Sequence, residues 1–194
     1  MLDERFVIVG VVLALATTIQ YAYETLKGRT KPNRVTWFLW ALAPAITFAA
    51  QLSEHIGIQA LLTFGAGFGP LLVLVASLAN KKAYWQITRF DLVCGGLSVL
   101  ALILWLVTGE GTIVVLLSIG ADFLASLPTL VKAYRAPETE SAGAYLGGSI
   151  AGFITLLTVQ EWTITNYAFA LYLAVNMGLI GLLVAFPKFR LAQS

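Results

Sequence analysis

Charge is what this sequence has least of. Asp, Glu, Lys and Arg make up 11% of the 194 residues, where a soluble globular chain carries about 25%. That is too few to cover a surface facing water, and 59% of the chain is hydrophobic. The composition therefore excludes disorder, nucleic-acid binding and a soluble enzyme, and predicts that the solvent is largely lipid. The net charge of +2 is too small to point to an anionic partner. Cysteine is almost missing: Cys94 alone cannot form an internal disulfide and reads as a small buried apolar residue. His55 is the one histidine, and it reads as a solvated loop side chain rather than a metal ligand. No Walker motif, metal-ligand spacing or Ser-His-Asp set occurs, so no enzyme, cofactor or metal is expected. There is no Asn-x-Ser/Thr sequon, which fits a bacterial cell-membrane protein.

What the sequence has is long apolar runs. A helix needs roughly 20 apolar residues to cross about 30 Å of hydrocarbon. Seven stretches qualify: 6–26, 35–51, 57–78, 91–107, 112–133, 141–158 and 166–186. The loops between them are short and hold nearly all the charge. Lys27, Arg29, Lys31 and Arg34 follow the first span, Lys81, Lys82 and Arg89 the third, and Lys132 and Arg135 the fifth; Lys188 and Arg190 lie in the tail. The other three loops carry Glu54, Glu110 and Glu161 and no Lys or Arg. The positive-inside rule then puts the N-terminus outside and the C-terminus in the cytoplasm, with the chain a multi-pass protein of the cell (plasma or inner) membrane. Ala14-Leu15-Ala16 resembles a signal-peptide cleavage site. The residues before it are not positive and the apolar run continues past it, so the first span is expected to stay. Trp85 and Trp162 read as membrane-interface anchors. Arg89 and Asp91 are expected to form a local surface pair.

The chain also matches itself at an offset of 105 residues. Lys27 meets Lys132, Pro32 meets Pro137, Thr36 meets Ser141, Trp40 meets Tyr145, and Thr17 meets Asp122. Two three-span units in succession would be inverted, because three is odd. Span four must therefore be an inversion linker. The expected fold is an all-α membrane protein with a 3+1+3 plan of parallel repeats: residues 1–79 as the first three-helix bundle, 80–110 as the inner loop and linker helix, and 111–194 as the second bundle and tail. Secondary transporters with such repeats bind substrate near the midplane between them. The motif Leu127-Pro128-Thr129, Lys132, Glu138, Ser141-Ala142-Gly143 resembles the PQ-loop of the SWEET and SemiSWEET superfamily of small-solute transporters, with Thr129 in the Gln position. In the first repeat Tyr23-Glu24 stand where Pro-Gln would be. The resemblance covers almost the whole chain in topology. It implies a facilitator of a sugar or another small polar solute, such as an amino acid or a vitamin-like nucleoside. It also implies a homo-oligomer.

Asp122 is the most informative polar residue. It lies about ten residues into its span, so near 15 Å depth at about 1.5 Å per residue. An acid there costs on the order of 2.5–3.5 kcal/mol on insertion scales, so it should not face lipid. Ser118, Asp122, Ser126 and Thr129 share one helical face, expected to line the path, with Asp122 as proton acceptor or as a buried hydrogen-bonded acid. Span one carries a stripe of Thr17, Gln20, Tyr21 and Glu24; Gln20 is assigned to the path. Glu24, Lys27 and Lys132 are assigned to an inner gate, with an interfacial ion pair of Glu24 and Lys27 or Lys31 as the plainer reading. Trp40 and Thr47 on span two, and Tyr145 with Gly148 and Gly152 on span six, form matching faces. The resemblance implies that an aromatic on these helices and an Asn on the third helix of a repeat hold the substrate, which points to Trp40, Tyr145, Asn176 and Tyr172. Asn176 could equally bond neighbouring helices, since a deep amide needs partners. The matching position in span three is Gly69-Pro70, with no amide. Pro44, Gly69, Pro70 and Pro128 are candidate hinges, or static kinks with close packing.

Seven spans with an outer N-terminus also describe a microbial rhodopsin. That chemistry needs a lysine in the last span, and 166–186 has none. The two functional readings are a transporter working by alternating access and a membrane receptor or interaction module on the same scaffold, as in the KDEL receptor. Flux separates the first from the second.

Overall fold

The structure is a computed structural model that describes residues 2–53, 58–108 and 111–187. Expectations for Glu54, His55, Glu110, Lys188 and Arg190 lie outside the described residues. The described chain is all-helical. Seven α-helices follow one another: α1 Phe6–Leu26, α2 Arg34–Ser53, α3 Ile58–Ala79, α4 Arg89–Val107, α5 Gly111–Arg135, α6 Ala142–Thr158 and α7 Ile164–Ala185. A single 3-10 turn, Pro137–Thr139, sits between α5 and α6. Among the described residues α1, α4, α5 and α7 are long and apolar enough to cross a membrane. Large apolar side chains face outward along their length, from Val12 on α1 to Leu92, Ile103 and Val107 on α4. Such a surface is at home in lipid, so this is a membrane protein.

Helix ends follow local chemistry. α4 starts two residues earlier than the apolar run. Thr88 and Asp91 form a capping box, with Asp91 N–H on Thr88 Oγ1 at 3.3 Å and Thr88 N–H on Asp91 Oδ2 at 2.6 Å. The buried Asp91 is therefore a helix cap, and the expected surface pair with Arg89 is not what it makes. α5 runs on to Arg135, because Lys132 and Arg135 in its last turn suit the negative helix end, and Pro137 then stops it. α1 ends where Gly28 takes a positive φ of 74°. The Asn80 amide reaches the open carbonyls of Thr25 and Leu26 at 3.1 and 2.9 Å. α1 is continuous through Ala14–Ala16.

Packing pairs the helices in a regular way. α3 lies between α1 and α2, and α7 lies between α5 and α6. The two sets meet where α1 packs on α6 and α2 on α5, while α4 rests mainly on α5. Small residues set the closest approaches, as expected where lipid gives no hydrophobic drive for helix association. A Cβ on Gly147 would overlap the Thr17 side chain, joining α6 to α1. A Cβ on Gly152 would stand 2.8 Å from the Ala174 backbone nitrogen, joining α6 to α7. A Cβ on Gly95 would stand 2.7 Å from Val35, joining α4 to α2. α2, α3 and α5 remain helical through Pro44, Pro70 and Pro128.

Candidate functional site

A cavity of about 680 Å³ lies between the helices and takes wall residues from all seven. Its position follows from which parts of the helices contribute. α1, α3, α5 and α7 give residues from their first halves, such as Ala14, Gly65, Ser118 and Asn166. α4 gives residues from its middle onward, such as Trp105, while α2 and α6 contribute from Trp37 and Ala144 near their starts to Thr47 and Thr155 further on. The cavity thus belongs to the end of the bundle where the odd-numbered helices begin. It reaches that end at Asn166, an exposed residue at the start of α7. Its deep end is set by Trp37, Trp40 and Tyr145.

The wall is mostly apolar, with Asp122 as its acid. Asp122 is half-buried and faces the cavity from α5. The Tyr172 hydroxyl donates to its Oδ2 at 2.6 Å, and the Asn176 amide donates to the Tyr172 oxygen at 3.1 Å. Ser126 Oγ donates to the Phe123 carbonyl at 2.9 Å and reaches Asn176 Oδ1 at 3.4 Å. These four side chains form one polar chain across the α5–α7 interface. The Trp40 indole also interacts with the Asp122 carboxylate without reaching hydrogen-bond geometry.

Below the cavity the rings close ranks. Trp37 and Trp40 meet edge to face at 5.2 Å between centroids. Tyr21 lies 4.9 Å from Trp37 and 6.0 Å from Tyr145. Both tyrosine hydroxyls donate to Glu140 Oε2, at 2.5 Å from Tyr21 and 2.7 Å from Tyr145. Glu140 Oε1 pairs with the Lys132 ammonium at 2.5 Å. The same ammonium donates to the Lys31 carbonyl and sits 4.8 Å above the Trp85 ring. Lys132 is 1% exposed, so this is a dry ion pair. It ties α5 and the α5–α6 turn to α1, to the α1–α2 loop and to the α3–α4 loop. A short hydroxyl contact from Thr129 to Thr36, 3.0 Å, adds a second link between α5 and α2.

Of the residues singled out in the sequence, Trp40, Tyr145, Thr47, Asp122, Ser118, Pro44, Gly69 and Pro70 lie on the cavity wall. Asn176, Tyr172 and Ser126 stand behind Asp122, with Asn176 buried as helix-to-helix glue. Pro128 is buried on α5, away from the wall. Gln20 is exposed and its amide donates to Glu24 at 3.3 Å, so it is not on the path. Lys27 is exposed and lies over the Tyr23 ring at 5.3 Å. Lys132 turns inward to Glu140 rather than toward Glu24 or Lys27. Trp85 is a lid over that lysine as well as an aromatic near the helix ends. Glu140 escaped the sequence reading. Its signal is weak: an acid eight residues after a lysine, in a loop where Glu138 looks the same.

Comparison with protein-family models, with curated proteins and with solved structures finds no match.

Proposed function

We propose that the protein is a membrane transporter that moves a small polar solute by alternating access. All seven helices cross the membrane, with the N-terminus outside. The helices form two parallel three-helix repeats, α1–α3 and α5–α7, joined by α4. The helix pairing supports this: substituting α5, α6 and α7 for α1, α2 and α3 turns each helix pair of one half into a pair of the other. The basic residues of the loops after α1, α3 and α5 all lie at the end with the ring cluster and the Lys132–Glu140 pair. By the positive-inside rule that end is cytoplasmic, and the cavity faces the outside.

One observation carries the reading. A cavity built from both halves runs partway through the bundle and stops at a floor where Tyr21 bonds Glu140 and Lys132 bonds the Lys31 carbonyl, joining both halves. That is the shape of an outward-facing carrier, closed on one side. Rocking the halves would break the Tyr21–Glu140 and Lys132–Lys31 bonds, the Lys132–Glu140 pair moving with the second half, and open the other side, the midplane site staying fixed. Pro44 and Pro70, on the wall where α2 and α3 lack a backbone donor, are the places to bend.

Uptake into proteoliposomes across a panel of sugars, amino acids, nucleosides and amines tests this. Flux of at least one compound, blocked by variants of the floor, is the expected result. Correctly folded protein that binds a compound and moves none would turn the reading to a receptor.

A further inference from the structure

The resemblance to sugar facilitators leads one to expect a wall with many donors and acceptors for hydroxyl groups. The wall differs. Among the described residues its Ser and Thr hydroxyls are Thr18, Thr47, Ser98, Ser118 and Thr155, each of which donates to a main-chain carbonyl, while the Tyr145 hydroxyl is spent on Glu140. Thr18 uses Ala14 O at 2.7 Å and Thr47 uses Ala43 O at 3.1 Å. Ser98 uses Ala121 O at 2.7 Å, Ser118 uses Val114 O at 2.8 Å, and Thr155 uses Ala151 O at 2.9 Å. A hydroxyl has one proton, so each of these oxygens offers a ligand only lone pairs. The Asp122 carboxylate, when ionised, is acceptor-only, and Tyr172 occupies Oδ2 alone. The indole N–H groups of Trp37 and Trp40 are donors, but both nitrogens are buried, and that of Trp40 is turned toward Asp122. Among the described residues no Lys, Arg or His lines the wall.

The cavity is therefore a surface of acceptors and aromatic faces around one acid. A polyol placed there would find partners for its protons and, for its oxygens, only the spare N–H of Asn166 at the mouth, whose other proton goes to the Glu161 carbonyl, and unpaired polar groups in a dry site are costly. An ammonium group has the opposite needs: it is a donor with no acceptor, it carries the complementary charge, and it is drawn to aromatic faces.

We propose that the cavity takes a small protonated amine, with its ammonium against Asp122 and its apolar body among Trp37, Trp40 and Tyr145. This rests on the transport reading and narrows its solute. The size suits such a ligand, because small-molecule sites occupy roughly 300–1,000 Å³. A primary ammonium fits better than a quaternary one, since only the former brings protons to the Asp122, Ser118 and Thr155 oxygens.

The test is calorimetric titration of the protein in lipid nanodiscs, with empty nanodiscs as blank. Four probes share one ring: benzylamine, benzyltrimethylammonium, benzyl alcohol and benzoate; glucose is the fifth. Benzylamine should bind tightest, with a Kd below that of benzyl alcohol by about tenfold or more. Benzyltrimethylammonium should fall between them, and benzoate and glucose should be weakest. Asp122→Asn should bring benzylamine to the level of benzyl alcohol. A flat or reversed ranking, no benzylamine binding, or full benzylamine affinity in D122N overturns the proposal. The wild-type ranking needs no variant, so a misfolded D122N leaves the test intact. Counterflow of labelled benzylamine in proteoliposomes separates the two layers. Binding without counterflow keeps the amine and removes transport; glucose flux without amine binding does the reverse.

Discussion

Glu140→Gln is the sharpest perturbation the floor allows. The amide has nearly the shape of the carboxylate and can still accept from Tyr21 and Tyr145. What it removes is the charge opposite Lys132, whose ammonium keeps only the Lys31 carbonyl and the Trp85 ring. With Lys132 at 1% exposure, water cannot replace the lost partner. Breaking a buried pair from one side costs about 3–5 kcal/mol, against about 0–1 kcal/mol for an exposed pair. The first range applies here, so E140Q should lose about 3–5 kcal/mol in equilibrium unfolding from mixed micelles. Lys132→Met alone should cost less, because a carboxylate that keeps two tyrosine donors is better served than a bare ammonium. The double variant K132M/E140Q should recover part of the loss, giving a coupling of about 0.5–3 kcal/mol. If E140Q costs no more than a surface pair, or the double variant shows no coupling, the dry ion pair is not what holds the floor.

Asn176→Leu should destabilise by about 1–3 kcal/mol, because it orphans the Tyr172 hydroxyl oxygen and weakens the Ser126 contact, while leaving solute KM within about threefold in uptake assays. Gly147→Ala should cost about 1–3 kcal/mol by driving α6 off α1, and Thr17→Ala added to it should restore most of the loss in the same unfolding assay. Thr88→Ala should cost about 1 kcal/mol, and hydrogen exchange should rise at the first turn of α4 and not at its last. In a Cys94→Ser background, Thr155→Cys on the wall should react with a membrane-impermeant maleimide added outside intact cells, and Thr129→Cys in the buried α5–α2 contact should not.

The helices were legible because lipid-facing helices need long apolar runs, and each run in the sequence returned as a helix. Their ends were less so. The early start of α4 depends on Thr88 and Asp91 facing each other across one turn, and the late end of α5 on Pro137. Asp122 was legible for a physical reason: an acid so deep in an apolar run must face inward, and it faces the cavity. Its partners were not, because the Tyr172 hydroxyl meets it only through the α5–α7 crossing. Lys132 shows how a correct composition rule can hide chemistry. It reads as one more positive residue of an inner loop, yet α5 carries it under Trp85 to an acid that looks like its solvated neighbour Glu138. Tyr21 reads as part of a stripe on span one, while Trp37 lies outside the Trp40–Thr47 face of span two. Only the docking of α1, α2 and α6 makes them one aromatic layer. The polar character of the wall was also out of reach of sequence, because Thr and Ser count as donors until the backbone geometry shows each proton already given to a carbonyl.

The buried ammonium beneath the aromatic layer has an electrical consequence. A carrier in an energised membrane must not short-circuit it, and protons or metal ions that enter the outer vestibule would be driven inward by the voltage. Here they would meet tilted and edge-to-face rings whose tyrosine hydroxyls are already bonded to Glu140, and behind them a dry ion pair that neutralises itself and leaves no wet path. The resting protein should therefore be electrically silent, and any current through it should appear only in step with solute turnover.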